Sequence, residues 1–226
     1  FWSYDDEKLN NIYSKYKNHK VGFYNTYELN KKNLQYNFNG GAEWMGASVD
    51  HSKQIMYVTS NNIPWQTSVA QIEVEDTKIP YYSSSFERAL DDLGFPITKP
   101  PWGTITSINL NSGKIIWQIP FGEYKYLTEK GVEITGTENF GGVTGTEGEI
   151  LIATGTLDKK LYIFNALDGS ELFSYELPYI GSAPPTTYVA NGKQYIITHA
   201  TGGSTLMQGY PDLVDTGNAI VAFTLN

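Results

Sequence analysis

The sequence contains no cysteine, no long apolar run and no run of basic residues. The absence of cysteine excludes disulfide bonds, thiolate metal sites and haem attached through a Cys-x-x-Cys-His motif. The apolar runs have the length of single strands, far below the roughly 20 residues that a transmembrane helix needs. A formal net charge of −8, without a segment rich in lysine and arginine, disfavours nucleic acid and anionic membrane surfaces as partners. We therefore expect neither a nucleic-acid interface nor a membrane span in this chain.

Residues typical of strands and turns are abundant instead. The 226 residues include 22 glycines and 17 tyrosines, and short β-branched or aromatic runs alternate with Gly, Asp and Asn turns. Residues 137–177 show this pattern best, because they hold three short strand patterns and most of a fourth. One antiparallel meander of this kind cannot bury both of its faces, so it needs similar neighbours.

Two further copies of the meander are present in the chain. Residues 109–117 match residues 165–173, and the turn glycines Gly113 and Gly169 lie 56 residues apart (169 minus 113). A third copy starts at residue 219, near the last residue of the sequence. A repeat of this size with four strands per unit predicts an all-β fold built from propeller blades. We place the blades at about residues 40–121, 138–177 and 180–226, the last with three strands.

The first 39 residues and a long excursion differ from the repeats. Early acidic residues and later lysines predict a helix within residues 1–20, followed by an extended strap to residue 39. Residues 61–99 interrupt the first blade and include a partly helical stretch at residues 85–93. Loops of this length are usually functional or cover something. Trp65, in this excursion, either lines a substrate entrance or anchors the loop.

The number of blades predicts that the chain does not act alone. Three blades are too few to close a ring, since propellers typically have about four to eight. The chain also begins with Phe1 and carries no signal peptide. We therefore expect N-terminal blades that are a separate chain or were removed, or else self-association through exposed blade edges.

Four segments resemble the C-terminal part of the pyrroloquinoline-quinone-dependent dehydrogenases, closest to the membrane-type glucose dehydrogenase branch. The segments are GGAEWMGASVD at residues 40–50, KPPWGTITSINLNSGKIIWQIPFGEY at 99–124, GTENFGGVTGTEGEILIATGTLDKKLYIFNALDG at 136–169 and NGKQYIITHATGG at 191–203. The turn at residues 109–117 is similar to the tryptophan-docking motif of that family. In the next blade Phe173 stands in place of the tryptophan and is expected to pack in a similar way.

The resemblance implies an eight-bladed propeller with pyrroloquinoline quinone (PQQ) on its axis and calcium bridging the quinone and the protein. An Asp base takes the proton of a sugar or alcohol hydroxyl as hydride moves to the quinone, and the electrons pass to a respiratory acceptor. The base and the metal ligands are expected in the missing N-terminal part. We therefore assign no catalytic residue and no metal ligand here, and expect this fragment alone to be inactive. The resemblance also implies a periplasmic location, with any inner-membrane attachment made by the absent part.

The same resemblance assigns part of the cofactor site to inner blade loops of this chain. Three residue pairs match family positions near the quinone: Glu43 and Trp44, Asn139 and Phe140, and Gly203 and Ser204. One glucose-type pattern of the family has a His after the glycines that match residues 202–203, and Gly203 or Ser204 stands there in this chain. The resemblance therefore implies that a histidine contact to a cofactor carboxylate is lost here.

Each of these assignments has a structural alternative. Trp44 and Phe140 also suit ordinary core packing, and Glu43 would repel the cofactor carboxylates unless it is protonated, paired or bound to metal. Trp102 and Trp117 repeat with the turns and are predicted to be structural. The histidines share no spacing typical of a zinc site. For the whole protein, the alternative is a non-catalytic propeller that serves as a binding scaffold.

Overall fold

A computed structural model describes residues 1–22, 25–38, 40–42, 45–75, 80–202, 210 and 216–224 of the chain. They form two compact units: unit 1 is Phe1–Asn39 with Asn62–Lys99, and unit 2 is Gly40–Asn61 with Pro100–Asn226. The helices and strands are, in chain order, α1 (Asp6–Tyr16), β1 (Lys20–Val21), β2 (Lys32–Tyr36), β3 (Ala47–Asp50), β4 (Ile55–Asn61), β5 (Pro64–Ile72), β6 (Tyr81–Arg88), β7 (Gly103–Asn109), β8 (Lys114–Pro120), α2 (Lys125–Thr128), β9 (Val143–Gly145), β10 (Ile150–Ala153), β11 (Lys160–Asn165), β12 (Glu171–Glu176), β13 (Thr186–Ala190), β14 (Lys193–Gly202) and β15 (Thr216–Thr224).

The predicted N-terminal helix is confirmed as α1 in unit 1. The Asp5 carboxylate caps it by accepting from the backbone N–H groups of Glu7 and Lys8, which lack partners within the helix. Ile12 and Tyr16, one turn apart, face a buried cluster that also contains Leu34, Ala89 and Ile97. The helix is therefore held by one apolar stripe.

The excursion of the first blade is mostly sheet, and its predicted helical stretch is wrong. Strands β5 and β6 form a hairpin, and unit 1 holds a four-stranded sheet in the order β1-β2-β5-β6. Residues 85–88 belong to β6, where Ser85 pairs with Ser68 and their hydroxyl groups lie 2.7 Å apart. The run Tyr-Tyr-Ser-Ser-Ser favours an extended backbone because its small polar side chains pair across the hairpin.

Trp65 anchors this sheet, so the structure contradicts its placement at a substrate entrance. Its side chain is 4% exposed, and the Arg88 guanidinium lies 4.7 Å from the ring centroid. The rings of Phe38 and Phe86 lie 5.8 and 6.3 Å from the indole. A tryptophan enclosed in this way stabilises packing and does not offer a free face to a ligand.

Unit 2 confirms the predicted blades. It contains the four-stranded sheets β3-β4-β7-β8 and β9-β10-β11-β12 and the three-stranded sheet β13-β14-β15. All pairs of neighbouring strands in these sheets are antiparallel. Each sheet is a meander in chain order, except where residues 62–99 leave the first sheet.

The blades of unit 2 pack face to face. Because strand side chains alternate between faces, Leu151 and Ala153 enter a cluster shared with the first blade, where Tyr57, Ile105 and Phe121 are buried. Ile150 and Ile152, on the opposite face of β10, belong to a cluster shared with Ala219, Val221 and Phe223 of the third blade. The middle blade thus buries both faces, as a single meander could not.

Trp117 docks the first blade onto the second, which confirms its predicted structural role. Its indole Nε1–H donates to the carbonyl of Ala166 at 3.1 Å. A Cβ atom placed on Gly169 would lie 2.9 Å from the indole ring, so the ring needs glycine at this turn. Tyr57 covers the indole with its ring centroid 6.1 Å away.

The docking hydrogen bond of Trp117 can be tested with a phenylalanine. Trp117→Phe removes the Nε1–H donor and should lower the free energy of unfolding by about 1 kcal/mol or more. The matched control is Phe173→Leu, at the equivalent position of the next blade, which should cost less than about 0.5 kcal/mol. Urea unfolding of both variants measures the difference, and equal effects would contradict the docking role.

Phe173 does not dock as expected. Its side chain is 46% exposed, whereas Trp117 is partly buried against the second blade. The acceptor turn for Trp117 follows β11, but the matching strand β15 ends at Thr224, the last described residue. The described residues therefore include no turn that could receive Phe173. Instead, Tyr175 meets Phe223 edge to face, with ring centroids 5.2 Å apart.

Candidate functional site

One end of the three sheets in unit 2 carries the predicted site residues that the structure describes. We call this the site end: it is where β4, β10 and β14 finish and where β3, β9 and β13 begin. Glu43, Trp44, Gly203 and Ser204 lie outside the described residues, so the structure places only Asn139 and Phe140 of the six. The Gly41 carbonyl accepts from the backbone N–H of Asn61 at 2.8 Å, so the segment preceding Glu43 reaches the end of β4.

Asn139 and Phe140 belong to a buried connection at the site end, residues 135–142, which we call the inner segment. Thr135, Thr137, Glu138 and Asn139 are at most 1% exposed, and Phe140 is 8% exposed. Backbone bonds join Thr137 N–H to the Phe121 carbonyl at 2.8 Å and Phe140 N–H to the Gly155 carbonyl at 3.2 Å. The inner segment is thus fixed between the first and second blades.

Glycines allow the inner segment to approach its neighbours closely. A Cβ atom on Gly103 would lie 1.8 Å from the Thr137 carbonyl oxygen, and one on Gly141 would lie 2.1 Å from the Thr154 carbonyl oxygen. Only a residue without Cβ fits against backbone at these distances. Trp102, next to Gly103, is fully buried. Its backbone N–H donates to the Thr135 carbonyl of the inner segment at 2.8 Å.

Asn61, at the end of β4, holds Asn139 from one side. The Asn61 Oδ1 atom accepts from the Asn139 backbone N–H and from its Nδ2, both at 2.9 Å. The Asn61 Nδ2 donates to the Asn139 carbonyl at 2.8 Å. On the other side Asn139 forms an isolated antiparallel bridge with Thr156. Among the residues that the structure describes, none forms a hydrogen bond with the buried Oδ1 atom of Asn139.

Asp158, in the turn between β10 and β11, accepts four hydrogen bonds beneath the inner segment. Oδ1 accepts from Thr156 Oγ1 at 2.5 Å and from the Lys160 N–H at 3.2 Å. Oδ2 accepts from the Glu123 N–H at 2.8 Å and from the Tyr162 hydroxyl. Burial is the main cause that raises the pKa of Tyr162, followed by the charge of Asp158. The phenol therefore stays protonated and remains a donor.

Glu123 connects this network to α2. Its carboxylate accepts from Thr128 Oγ1 at 2.6 Å and lies 3.4 Å from the Lys160 ammonium. The Thr128 hydrogen bond and the Lys160 charge hold the pKa of Glu123 below its ordinary value of 4.5, against an opposing effect of burial.

The lowered pKa of Glu123 predicts a pH-dependent stabilisation. A carboxyl group with a depressed pKa in the folded state stabilises the fold above its unfolded pKa, and this contribution is lost as pH falls through the folded pKa. From about pH 5 to about pH 3, the wild-type chain should lose more stability than Glu123→Gln. Urea midpoints over this range measure the effect, and parallel pH profiles for the two proteins would contradict it.

Sequence reasoning overlooked Asn61, Asp158 and the buried Glu138. Asn61 follows a strand and Asp158 lies in a Thr-x-Asp turn, and both patterns are common in ordinary turns. Their contacts with Asn139 and Glu123 span 78 and 35 residues, so no local pattern marks them. Glu138 is only 1% exposed, and an isolated glutamate in a polar stretch gives no sign of burial.

A cavity of about 470 Å³ opens at the other end of the first two blades. It is lined by the β3–β4 and β9–β10 turns, including Asp50, His51, Lys53 and Glu149, and the Lys53 ammonium pairs with Glu149. Of the predicted site residues that the structure describes, neither Asn139 nor Phe140 lines this cavity.

Within the described ranges, no group of three or more His, Asp or Glu side chains is arranged to hold a metal ion. His19 instead bonds to Gln66, with Nε2 and Oε1 2.7 Å apart. Of the helices that the structure describes, none combines the length and apolar character needed to cross a membrane.

The face-packed meanders and the docked Trp117 define three blades of a partial β-propeller. The chain belongs to the family described as "PQQ: Glucose/ethanol/alcohol dehydrogenase, beta-propeller domain", whose model matches residues 2–196. This family assignment confirms the resemblance found in the sequence.

Curated relatives are quinoprotein dehydrogenases of several kinds. The chain is 28% identical to a probable quinate dehydrogenase (quinone) of Xanthomonas campestris pv. juglandis, over 82% of this chain and 26% of the relative. It is 27% identical to quinoprotein glucose dehydrogenase A of Acinetobacter calcoaceticus, over 72% of this chain and 23% of the relative. The chain thus spans about a quarter of the length of these relatives.

A solved structure agrees with the fold. A europium-containing methanol dehydrogenase superposes with a TM-score of 0.62 at 14% identity, covering 92% of this chain and 37% of that one. At this identity the similarity supports the propeller fold alone.

Proposed function

We propose that the whole protein is a PQQ-dependent dehydrogenase that oxidises a sugar or alcohol, and that this chain forms one wall of its cofactor site. Membership of the family over residues 2–196 is the observation that carries the proposal. The relatives named for quinate and glucose support a hydroxyl-bearing substrate. Electrons would pass to a respiratory acceptor, in the periplasm, with any membrane attachment made outside this chain.

The described residues of the inner segment fit one side of a flat, polar-edged cofactor. Phe140 supplies an aromatic side chain, and Asn61 fixes the neighbouring Asn139 beside it through three hydrogen bonds. By the family positions, Glu43, Trp44, Gly203 and Ser204 complete this wall.

PQQ supplies the redox chemistry when it is bound, since it accepts the hydride of the substrate C–H bond. The residues of this chain orient the cofactor edge and exclude water from one side of it. From the family resemblance, the base that takes the hydroxyl proton and the ligands of a calcium ion are proposed to lie elsewhere in the protein.

Further blades are proposed to complete the propeller. Along β15 the side chains alternate, and the outward Ile220 is 66% exposed. By the strand register, Tyr188 of β13 lies on the same face as Ile220 and is 45% exposed. An apolar sheet face of this kind favours another blade or, in the isolated chain, self-association.

The function is tested with the complete gene product that contains this chain. The apoprotein is incubated with PQQ and Ca²⁺, and dye reduction is measured with glucose, quinate and ethanol. We expect turnover with at least one substrate that requires PQQ. If the folded protein binds no PQQ and reduces no dye, the enzymatic proposal fails and the scaffold alternative gains support.

A further inference from the structure

We propose that the cavity between the β3–β4 and β9–β10 turns binds a small organic cation, with an ammonium, amidinium or guanidinium head on an apolar body. The cavity has a volume of about 470 Å³, which lies in the range of small-molecule sites. It lies at the opposite end of the blades from Asn139 and Phe140. The inference is therefore independent of the cofactor proposed for the site end.

A buried hydroxyl group lies in the floor of this cavity. Tyr57 of β4 lines the cavity and is 4% exposed. Within the part of the chain that the structure describes, its hydroxyl group has no hydrogen-bond partner and is not fully covered by protein. Burial raises the pKa of Tyr57, with the charge of Asp50 as the next cause, so the phenol stays protonated. It can both donate to and accept from a ligand in the cavity, and a buried polar group of this kind points to such a ligand.

The rim of the cavity has more hydrogen-bond acceptors than donors. Three carboxylates line it, those of Asp50, Glu147 and Glu149, together with the ammonium group of Lys53. Lys53 already pairs with Glu149 Oε1 and lies 3.9 Å from Asp50 Oδ2. Among the described residues, none donates a hydrogen bond to Glu149 Oε2 or Asp50 Oδ2. An excess of carboxylate oxygens repels anions and favours a ligand with N–H donors and a positive charge.

Apolar surface favours an organic ligand in this cavity. Leu151 and Ala166, which are 0% and 6% exposed, line it together with the Tyr57 ring. Side chains of this kind cannot ligate a metal ion, but they stabilise an apolar body by removing it from water. The ligand is therefore expected to place its charged head at the rim and its apolar body against the floor.

Contacts between the two blades hold the walls of the cavity in place. Ser48 Oγ of β3 accepts from the Gly145 N–H of β9 at 2.9 Å. The pair of Lys53 and Glu149 joins the two turns across 96 residues, and the Glu149 carbonyl accepts from the Ala166 N–H at 2.9 Å. A preformed site of this kind lowers the cost of ordering its walls when a ligand binds.

The experiment titrates the complete gene product with three molecules of similar shape: the cation benzamidine, neutral benzamide and the anion benzoate. Isothermal titration calorimetry measures each affinity for the wild-type protein, Tyr57→Phe and Glu149→Gln. The first variant removes only the hydroxyl group in the cavity, and the second removes one negative charge from its rim. Glu129→Gln is the control, because Glu129 also lies 3.9 Å from a lysine, Lys125, but does not line the cavity. Thermal unfolding establishes that each variant is folded.

We expect the wild-type protein to bind benzamidine at least about tenfold more tightly than benzamide or benzoate. Glu149→Gln should weaken benzamidine binding about tenfold or more and Tyr57→Phe about threefold to tenfold, whereas Glu129→Gln should have no effect. Lack of benzamidine binding, or equal affinity for the three molecules, would overturn the inference. So would wild-type affinity in folded Tyr57→Phe, because the cation would then bind outside the cavity. If one of the two cavity variants does not fold, the other decides on the same titration.

Discussion

Gly103→Ala should lower the free energy of unfolding by about 3 kcal/mol or prevent folding. The added Cβ would lie 1.8 Å from the Thr137 carbonyl oxygen and 2.9 Å from the Thr137 carbonyl carbon. Both atoms are backbone, so no side-chain rotation relieves the overlap. Either β7 or the inner segment must move, and Thr137 is fixed there by its bond to the Phe121 carbonyl at 2.8 Å. Urea unfolding of the chain measures the loss.

Gly148→Ala is the control for Gly103. Its Cβ would have only the Thr146 hydroxyl within reach, at an ordinary 3.7 Å, and its φ is not positive. Alanine there should be neutral or stabilise the fold by up to about 1 kcal/mol, because it reduces the entropy of the unfolded chain. Similar losses at both glycines would show that the inner segment is not packed against Gly103 as described.

Asp158→Ala should cost about 3 to 5 kcal/mol. The substitution removes the acceptor of four donors, of which the Tyr162 hydroxyl and Thr156 Oγ1 belong to residues at most 5% exposed. Leaving buried donors unpaired costs more than losing a solvent-exposed hydrogen bond. The midpoint of urea unfolding, with tyrosine absorbance as a second probe of Tyr162, measures the effect.

Two further substitutions separate this network from an ordinary turn. Asp158→Asn keeps the Oδ1 acceptor but sets an amide N–H₂ against the Glu123 N–H, so an intermediate loss of about 1 to 2 kcal/mol is expected. Asp168 accepts from the backbone N–H and the hydroxyl group of Ser170 in an exposed turn, and Asp168→Ala should cost about 1 kcal/mol or less. An equal loss for Asp158→Ala and Asp168→Ala would rule out a central role for Asp158.

The blades could be predicted from sequence because their determinants are local. Alternation in Ile150, Leu151, Ile152 and Ala153 sends neighbouring side chains to opposite faces, and each face meets its own cluster. The 56-residue spacing of the turn glycines repeats a turn, and the second copy of this turn receives Trp117 at the Ala166 carbonyl. Such patterns depend on period and turn chemistry, which a single sequence displays.

The sheet of unit 1 could not be predicted in the same way. Strand β6 contains three successive serines, and its pairing with β5 uses polar contacts such as Ser68 with Ser85. In the sequence, strands β3 and β4 of the first blade separate β2 from its partner β5. Non-local pairing of polar strands leaves no apolar alternation to recognise.

Part of the candidate site could be predicted from the sequence, and part of it could not. Asn139 and Phe140 were found through family positions, and the structure shows that they lie in a buried segment fixed between two blades. The clamp by Asn61 depends on contacts across 78 residues and on one carboxamide, which no periodic pattern reveals. The cofactor contacts of all six residues stay predictions, and Glu43, Trp44, Gly203 and Ser204 lie outside the described residues.

Equilibrium titration of PQQ into the complete apoprotein tests the central claim, that the inner segment faces the cofactor. We predict saturable binding of one PQQ per protein, weakened about tenfold or more by Phe140→Ala. Phe173→Ala, which removes a 46% exposed ring away from the site end, should leave the affinity unchanged. Binding that is absent in the wild-type protein, or equally strong in Phe140→Ala, would contradict the account.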